Sequence, residues 1–142
     1  MQTFIVLALS ALIPLLVGFI WYNTAFGLGK TWLKESGLTE EDTKNGFKPV
    51  KVFGLTYLFG LFIATCLSQW TIHQNGLNSM IADVALDEET TAALNIVKSK
   101  LVDSYRTFKH GALHGGLTGV FFCLPVIGVL SLFENKSLKY IF

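Results

Sequence analysis

Three stretches of this chain carry no Asp, Glu, Lys or Arg: Met1 to Gly29, Val52 to Ala82 and His110 to Phe133. Each exceeds the roughly 20 helical residues that cross ~30 Å of hydrocarbon. Backbone polar groups in lipid must be satisfied within the protein, so runs of this length fold as helices. The expectation is an all-α integral membrane protein with three transmembrane helices in a single membrane domain, residues 1–142. The spans fall at about 3–22, 50–73 and 108–133, joined by an inner loop 23–49 and an outer loop 74–107.

With 51% hydrophobic and 15% charged residues, the chain departs from the balance of a soluble domain in the same direction. A net charge of +1, with lysines spread through loops rather than gathered in a stripe, excludes a nucleic-acid partner. Met1-Gln2-Thr3 supplies no basic residue ahead of the first run, and no small-residue cleavage site follows, so that run is expected to be retained as an anchor. Lys30, Lys34, Lys44, Lys48 and Lys51 sit between the first two spans and Lys136 and Lys139 follow the third. The second loop holds Lys98, Lys100, Arg106 and Lys109, all toward its far end. The positive-inside rule then places the N-terminus and the second loop outside an inner membrane.

Local signals set the element ends. Pro14 removes a donor in mid-span, which predicts a bend near Ser10 to Pro14, and Trp21 and Tyr22 mark an interface. From Phe26 to Ser36, aromatic and aliphatic groups that include Trp32 alternate with lysines, the pattern of an amphipathic interfacial segment. Gly37 can close its turn; Thr39 reads as the N-cap of a helix opened by Glu40, Glu41 and Asp42. Pro49 suits the first turn of the second span, which should end near His73, before Asn75-Gly76. Asp87 can cap an amphipathic outer-loop helix with Leu94, Val97, Leu101, Tyr105 and Phe108 on one face. That helix either runs on into the third span or turns near Arg106 to Gly111. Pro125 with Gly128 predicts a bend low in the third span.

The polar residues inside the spans form a pattern. Thr65, Gln69 and His73 repeat every four residues in the second span; His110, His114 and Thr118 do so in the third. In an antiparallel pair, His73 comes level with His110, Gln69 with His114, and Thr65 with Thr118, a polar ladder descending from the outer face. Gly111, Gly115, Gly116 and Gly119 give the third span a small-residue seam along which a neighbouring backbone could approach. Cys66 and Cys123 lie too far apart axially for a disulfide, an offset of about 10 Å, and read as reduced core residues.

The ladder admits several roles: polar glue between helices, a metal or haem site on His73, His110 and His114, a proton or solute path, or recognition of a lipid or small molecule. Catalysis is not expected. Gly111 follows His110 where a metalloprotease motif needs Glu, and the spans hold no acid to orient a triad. Around Glu134-Asn135-Lys136-Ser137 the plain expectation is interfacial capping, and the sharper one a docking surface for a partner.

Leu12 to Asn23 with Pro14, Phe26-Gly27 to Trp32, Gly37-Leu38-Thr39-Glu40-Glu41-Asp42, and Phe108-Lys109-His110-Gly111-Ala112-Leu113-His114-Gly115 with Phe133-Glu134 beyond resemble a bacterial family of small membrane proteins catalogued as domain of unknown function 1761. The resemblance covers most of the chain and implies a helical inner-membrane domain with no established activity. It departs at Thr24, where relatives often carry proline. It departs again at Lys139-Tyr140-Ile141-Phe142, where relatives continue into a fourth span; such a span is either absent or missing from this sequence.

A three-helix domain has little interior of its own, so the leading expectation is an accessory or self-associating helix-packing subunit of a larger membrane complex, with lipid and other transmembrane helices as its partners. No cofactor is expected on that reading. The alternatives are the metal, haem or small-molecule site at the three histidines, and an oligomeric transporter or proton path along the ladder.

Overall fold

The computed structural model describes residues 2–45 and 47–141. Met1 of the leading tripeptide and Phe142 at the tail lie outside them. The described residues are all-helical: α1 (Gln2–Ser10), α2 (Ile13–Trp21), α3 (Gly29–Ser36), α4 (Glu40–Asn45), α5 (Pro49–Thr71), α6 (His73–Met80), α7 (Glu88–Leu101), α8 (Phe108–Thr118), a π-helical turn (Gly119–Cys123), α9 (Leu124–Phe133) and α10 (Leu138–Ile141). Three helical stretches are long and apolar enough to span a membrane: Phe4–Trp21, Pro49–Thr71 and Phe108–Phe133. The chain forms two compact units, Met1–Thr65 with Thr118–Phe142, and Cys66–Leu117.

In the first unit the expected bend is a full interruption. Helix α1 stops at Ser10 and α2 restarts at Ile13, because Pro14 has no N–H for the carbonyl one turn back. Ala11, in the gap, is fully buried, and the backbone of Gly60 on α5 packs on it so closely that a Cβ there would stand 2.7 Å from the Ala11 carbonyl oxygen. Tyr57 Oη, one turn earlier on α5, donates to the Ala8 carbonyl at 3.4 Å. Ala11 and Leu33 are the buried apolar residues among those described. With so little interior, the spans leave apolar surface exposed, which is compatible with contact to a lipid bilayer.

Asn23 organises the step from α2 to α3: its Oδ1 accepts from the Ala25 amide at 2.8 Å and its carbonyl from the Gly27 and Gly29 amides at 3.0 and 3.2 Å. A Cβ at Gly27 or Gly29 would fall 2.0 or 2.2 Å from the carbonyl oxygens of Ile20 and Tyr22, so this approach requires glycine. Tyr22 packs edge-on against Trp32 at 5.0 Å between centroids, which joins the two expected interfacial aromatics; Trp21 stays exposed. Gly37 ends α3 with φ of 77°. Thr39 and Asp42 form a reciprocal cap, the Asp42 amide donating to Thr39 Oγ1 at 3.1 Å and the Thr39 amide to Asp42 Oδ2 at 2.8 Å. Residues 134–137 bind within the unit: Lys136 Nζ donates to the Ser36 carbonyl at 3.1 Å and Ser137 Oγ to Glu35 at 2.5 Å, placing a cation on the C-terminal end of α3.

The strain at Pro125 is absorbed upstream of the proline. Gly119–Cys123 widens into a π turn, with the Leu124 amide bonding the Gly119 carbonyl, and α9 then continues to Phe133. Cys66 and Cys123 are free thiols, as expected, but both are exposed rather than in a core. On an apolar span, exposure means contact with whatever surrounds the helix.

In the second unit, α5 ends at Thr71 rather than near His73. Ile72 leaves the helical region (φ −95°, ψ 89°), and His73 opens the separate helix α6, which carries Asn75 and Gly76 in its interior. Asp87 caps α7 as expected, its Oδ1 accepting from the Thr90 amide at 2.7 Å. That bond holds the Asp87 carboxyl below its ordinary pKa. Helix α7 does not run into the third span. It stops at Leu101, so Tyr105 and Phe108 do not continue its face, and the chain turns through Tyr105 with φ of 62° before α8 begins at Phe108.

Candidate metal centre

All three histidines meet within the second unit. His73 is the first residue of α6, released from α5 by the break at Ile72; His110 and His114 lie one turn apart on α8. Thr107 starts that helix, its Oγ1 accepting from the His110 amide at 3.3 Å. His73 Nε2 stands 3.0 Å from His110 Nε2. Ring centroids are 4.8 Å apart for His73 and His110, 5.3 Å for His73 and His114, and 4.5 Å for His110 and His114. One nitrogen from each ring can be chosen so that all three lie within 4.8 Å of one another. His73 is exposed and the other two are half-buried.

Two residues outside the expected ladder complete the surroundings. The Tyr105 ring lies 5.6 Å from that of His73 and 5.1 Å from that of His110. Gln74 fixes the turn that carries it, Nε2 donating to the carbonyls of Leu101 at 2.7 Å and Ser104 at 3.0 Å. Gln74 Oε1 is buried and lacks a hydrogen-bond partner among the described residues. Tyr105 read as one more apolar position of a helix, and Gln74 as the residue after a helix end; neither carries a sequence signal for the site.

Of the expected ladder, the second unit brings His73, His110 and His114 together. The break at Ile72 destroys the continuous four-residue face of Thr65, Gln69 and His73. Gln69 is exposed, and Thr65 Oγ1 donates to the Leu61 carbonyl of its own helix at 2.8 Å. Thr65 and Thr118 belong to the first unit and the histidines to the second. Nor do the seam glycines mark a close approach: a Cβ at Gly111, Gly115, Gly116 or Gly119 would meet nothing within 4 Å among the described residues. Between spans, a close backbone approach is made through Gly60, against Ala11.

Chemically, two imidazole nitrogens at 3.0 Å either share a proton, one ring donating from Nε2, or face a common cation. A tetrahedral ion with metal–nitrogen bonds of 2.0–2.1 Å sets its ligand nitrogens about 3.3 Å apart. The His73–His110 separation lies within a few tenths of an ångström of that value. An all-imidazole set suits zinc, copper, nickel or iron rather than magnesium or calcium, and three protein ligands leave a fourth position open.

No curated protein and no solved structure matches the chain. One family model does, over residues 5–142 and hence nearly the whole sequence, its description being Protein of unknown function (DUF1761). The chain belongs to the DUF1761 family.

Proposed function

We propose that this protein binds one borderline transition-metal ion through His73, His110 and His114. The observation that carries the reading is the convergence of three imidazoles, one on α6 and two on α8, with donor nitrogens within 4.8 Å of one another. A single ion fits better than haem, because nitrogens 3.0 Å apart leave no room for a porphyrin between the rings. The reading is one of binding, without a catalytic step. The lysine distribution supports placing the cluster at the outer side of a bacterial inner membrane.

Titration of the purified protein in mild detergent with Co2+ or Zn2+ tests this. One equivalent should bind, and His110→Ala should weaken binding by at least about 10-fold, since a lost ligand costs no less than a lost supporting contact. Binding that ignores all three histidine replacements overturns the reading.

A second reading, the helix-packing subunit, draws on the open space around Gly111, Gly115, Gly116 and Gly119 and on the scarcity of buried apolar side chains. It requires a reproducible larger particle in mild detergent. A strictly monomeric particle removes it and leaves the metal reading intact.

A further inference from the structure

Next to the histidine cluster, within the same unit, a cavity of about 360 Å³ opens with His73 in its wall. Its charged lining consists of Lys98 and Arg106 and includes no Asp or Glu. Neither cation forms an ion pair among the described residues, where Lys44 pairs with Glu40. Leu77 and Leu101 contribute to its apolar wall. The turn bearing Arg106 is held by the two Gln74 bonds, so this lining is built by α6, α7 and the turn together. The combination of two cations without a counter-charge, an apolar wall and a metal-ligating ring at one edge defines the ligand it suits.

From these juxtapositions we infer that the cavity binds a carboxylate with a short apolar body, its charge held by Lys98 and Arg106 and one oxygen completing the coordination of the ion on the histidines. The inference rests on the metal reading. An anion relieves the repulsion of two uncompensated cations, and charge-assisted hydrogen bonds from an ammonium or guanidinium are about twice as strong as neutral ones. A carboxylate also supplies the fourth ligand that three imidazoles leave open. The apolar wall disfavours a bare inorganic anion, which would lose hydration there without compensation. The same oxyanion chemistry could arrive free in solution or on an anionic lipid, and the cavity volume, at the lower end for ligand sites, favours the free carboxylate.

The test uses the full-length protein loaded with Co2+ in a non-ionic detergent, followed by visible absorption. Hexanoate is the free probe, and nanodiscs with and without phosphatidylglycerol are the lipid probe. Saturable change of the Co2+ spectrum by hexanoate is expected, with an apparent Kd raised at least about 10-fold in the Lys98→Gln/Arg106→Gln double variant, while Co2+ affinity stays within about 3-fold. The Lys98→Arg variant should retain the response. Failure of Co2+ to bind overturns the metal reading and this inference with it. A Co2+ spectrum that hexanoate leaves unmoved, or moves equally in the double variant, overturns the inference alone. A response confined to phosphatidylglycerol also overturns it and reassigns the site to lipid.

Discussion

His73 and His110, thirty-seven positions apart in sequence, face each other through their Nε2 atoms at 3.0 Å. The contact joins α6 to α8, so an ion held there fastens two helices that are separated by the whole of α7 and its flanking turns. A ligand that binds the folded state alone stabilises it by about 2.7 kcal/mol at 100 times its Kd. Zn2+ should therefore raise the thermal midpoint of the protein in a concentration-dependent way. His73→Gln and His110→Gln should each abolish the increase, and His73→Gln should leave the metal-free midpoint nearly unchanged because His73 is exposed. Differential scanning fluorimetry with and without chelator reads this out, and an increase that survives both substitutions would place the ion elsewhere.

Glycines separate packing within the chain from packing against a partner. A Cβ at Gly60 would stand 2.7 Å from a backbone oxygen of Ala11, an atom that cannot rotate away, so Gly60→Ala should destabilise the protein by about 1–3 kcal/mol. At Gly115 a Cβ meets nothing within 4 Å among the described residues. There Gly115→Ala should be neutral or stabilising by about 0.5–1 kcal/mol through helix propensity. The pair is to be compared by detergent-unfolding midpoints and by particle size. Loss of a larger particle in Gly115→Ala, without loss of monomer stability, would favour the subunit reading.

Why some of this could be read from sequence and some could not follows from the range of the forces involved. Charge-free runs, Thr39 and Asp87 act through contacts within four residues or through solvent, and their consequences stand in the structure as expected. Pro14 and Pro125 signalled disruption, yet where it is absorbed differs: at Ala11 and Leu12 for the first, and in a π turn before the second, because neighbouring turns share the adjustment. The break at Ile72 has no proline or glycine beside it, and Asn75-Gly76, a turn signal by composition, lies inside α6, where Asn75 Nδ2 reaches the Ser68 carbonyl at 3.4 Å. Small-residue spacing reports that a backbone could approach, not which one does. Gly60, outside the glycine repeat, makes the contact with Ala11, while a Cβ at Gly111, Gly115, Gly116 or Gly119 would meet nothing within 4 Å among the described residues.

Acid should loosen α7 from its N-terminal end. The hydrogen bond from the Thr90 amide lowers the Asp87 pKa from its ordinary 3.8, so the folded state favours the charged carboxylate. The sign follows from linkage: the stabilisation is complete above the unfolded value and is lost as pH falls through the lowered folded value. Hydrogen exchange of the first-turn amides of α7 should therefore lose protection below about pH 4, relative to the middle of the helix. Asp87→Asn, a competent cap without a titrating group, should remove that pH dependence and keep the protection at neutral pH. An unchanged pH profile in the asparagine variant would show that another group governs the helix start.

Gln74 offers a test in which shape and chemistry oppose each other. Its Nε2 holds the Leu101 and Ser104 carbonyls, and with them the turn that keeps Tyr105 at φ of 62°, a region costly for a residue with a Cβ. Gln74→Leu deletes both donated bonds, each worth about 1 kcal/mol, but also deletes an Oε1 that is buried without a hydrogen-bond partner, so the losses partly cancel. Gln74→Glu preserves the shape and replaces the donor with an acceptor facing two carbonyl oxygens, a repulsion that Lys98 and Arg106 in the same cavity lining offset only in part. The glutamate variant should therefore be the less stable of the two at neutral pH, by about 1–2 kcal/mol, and should recover as its carboxyl is protonated. Thermal midpoints of the three proteins across pH 4 to 8 measure the order. If glutamate equals or exceeds leucine throughout, the turn is held by something other than the Gln74 amide.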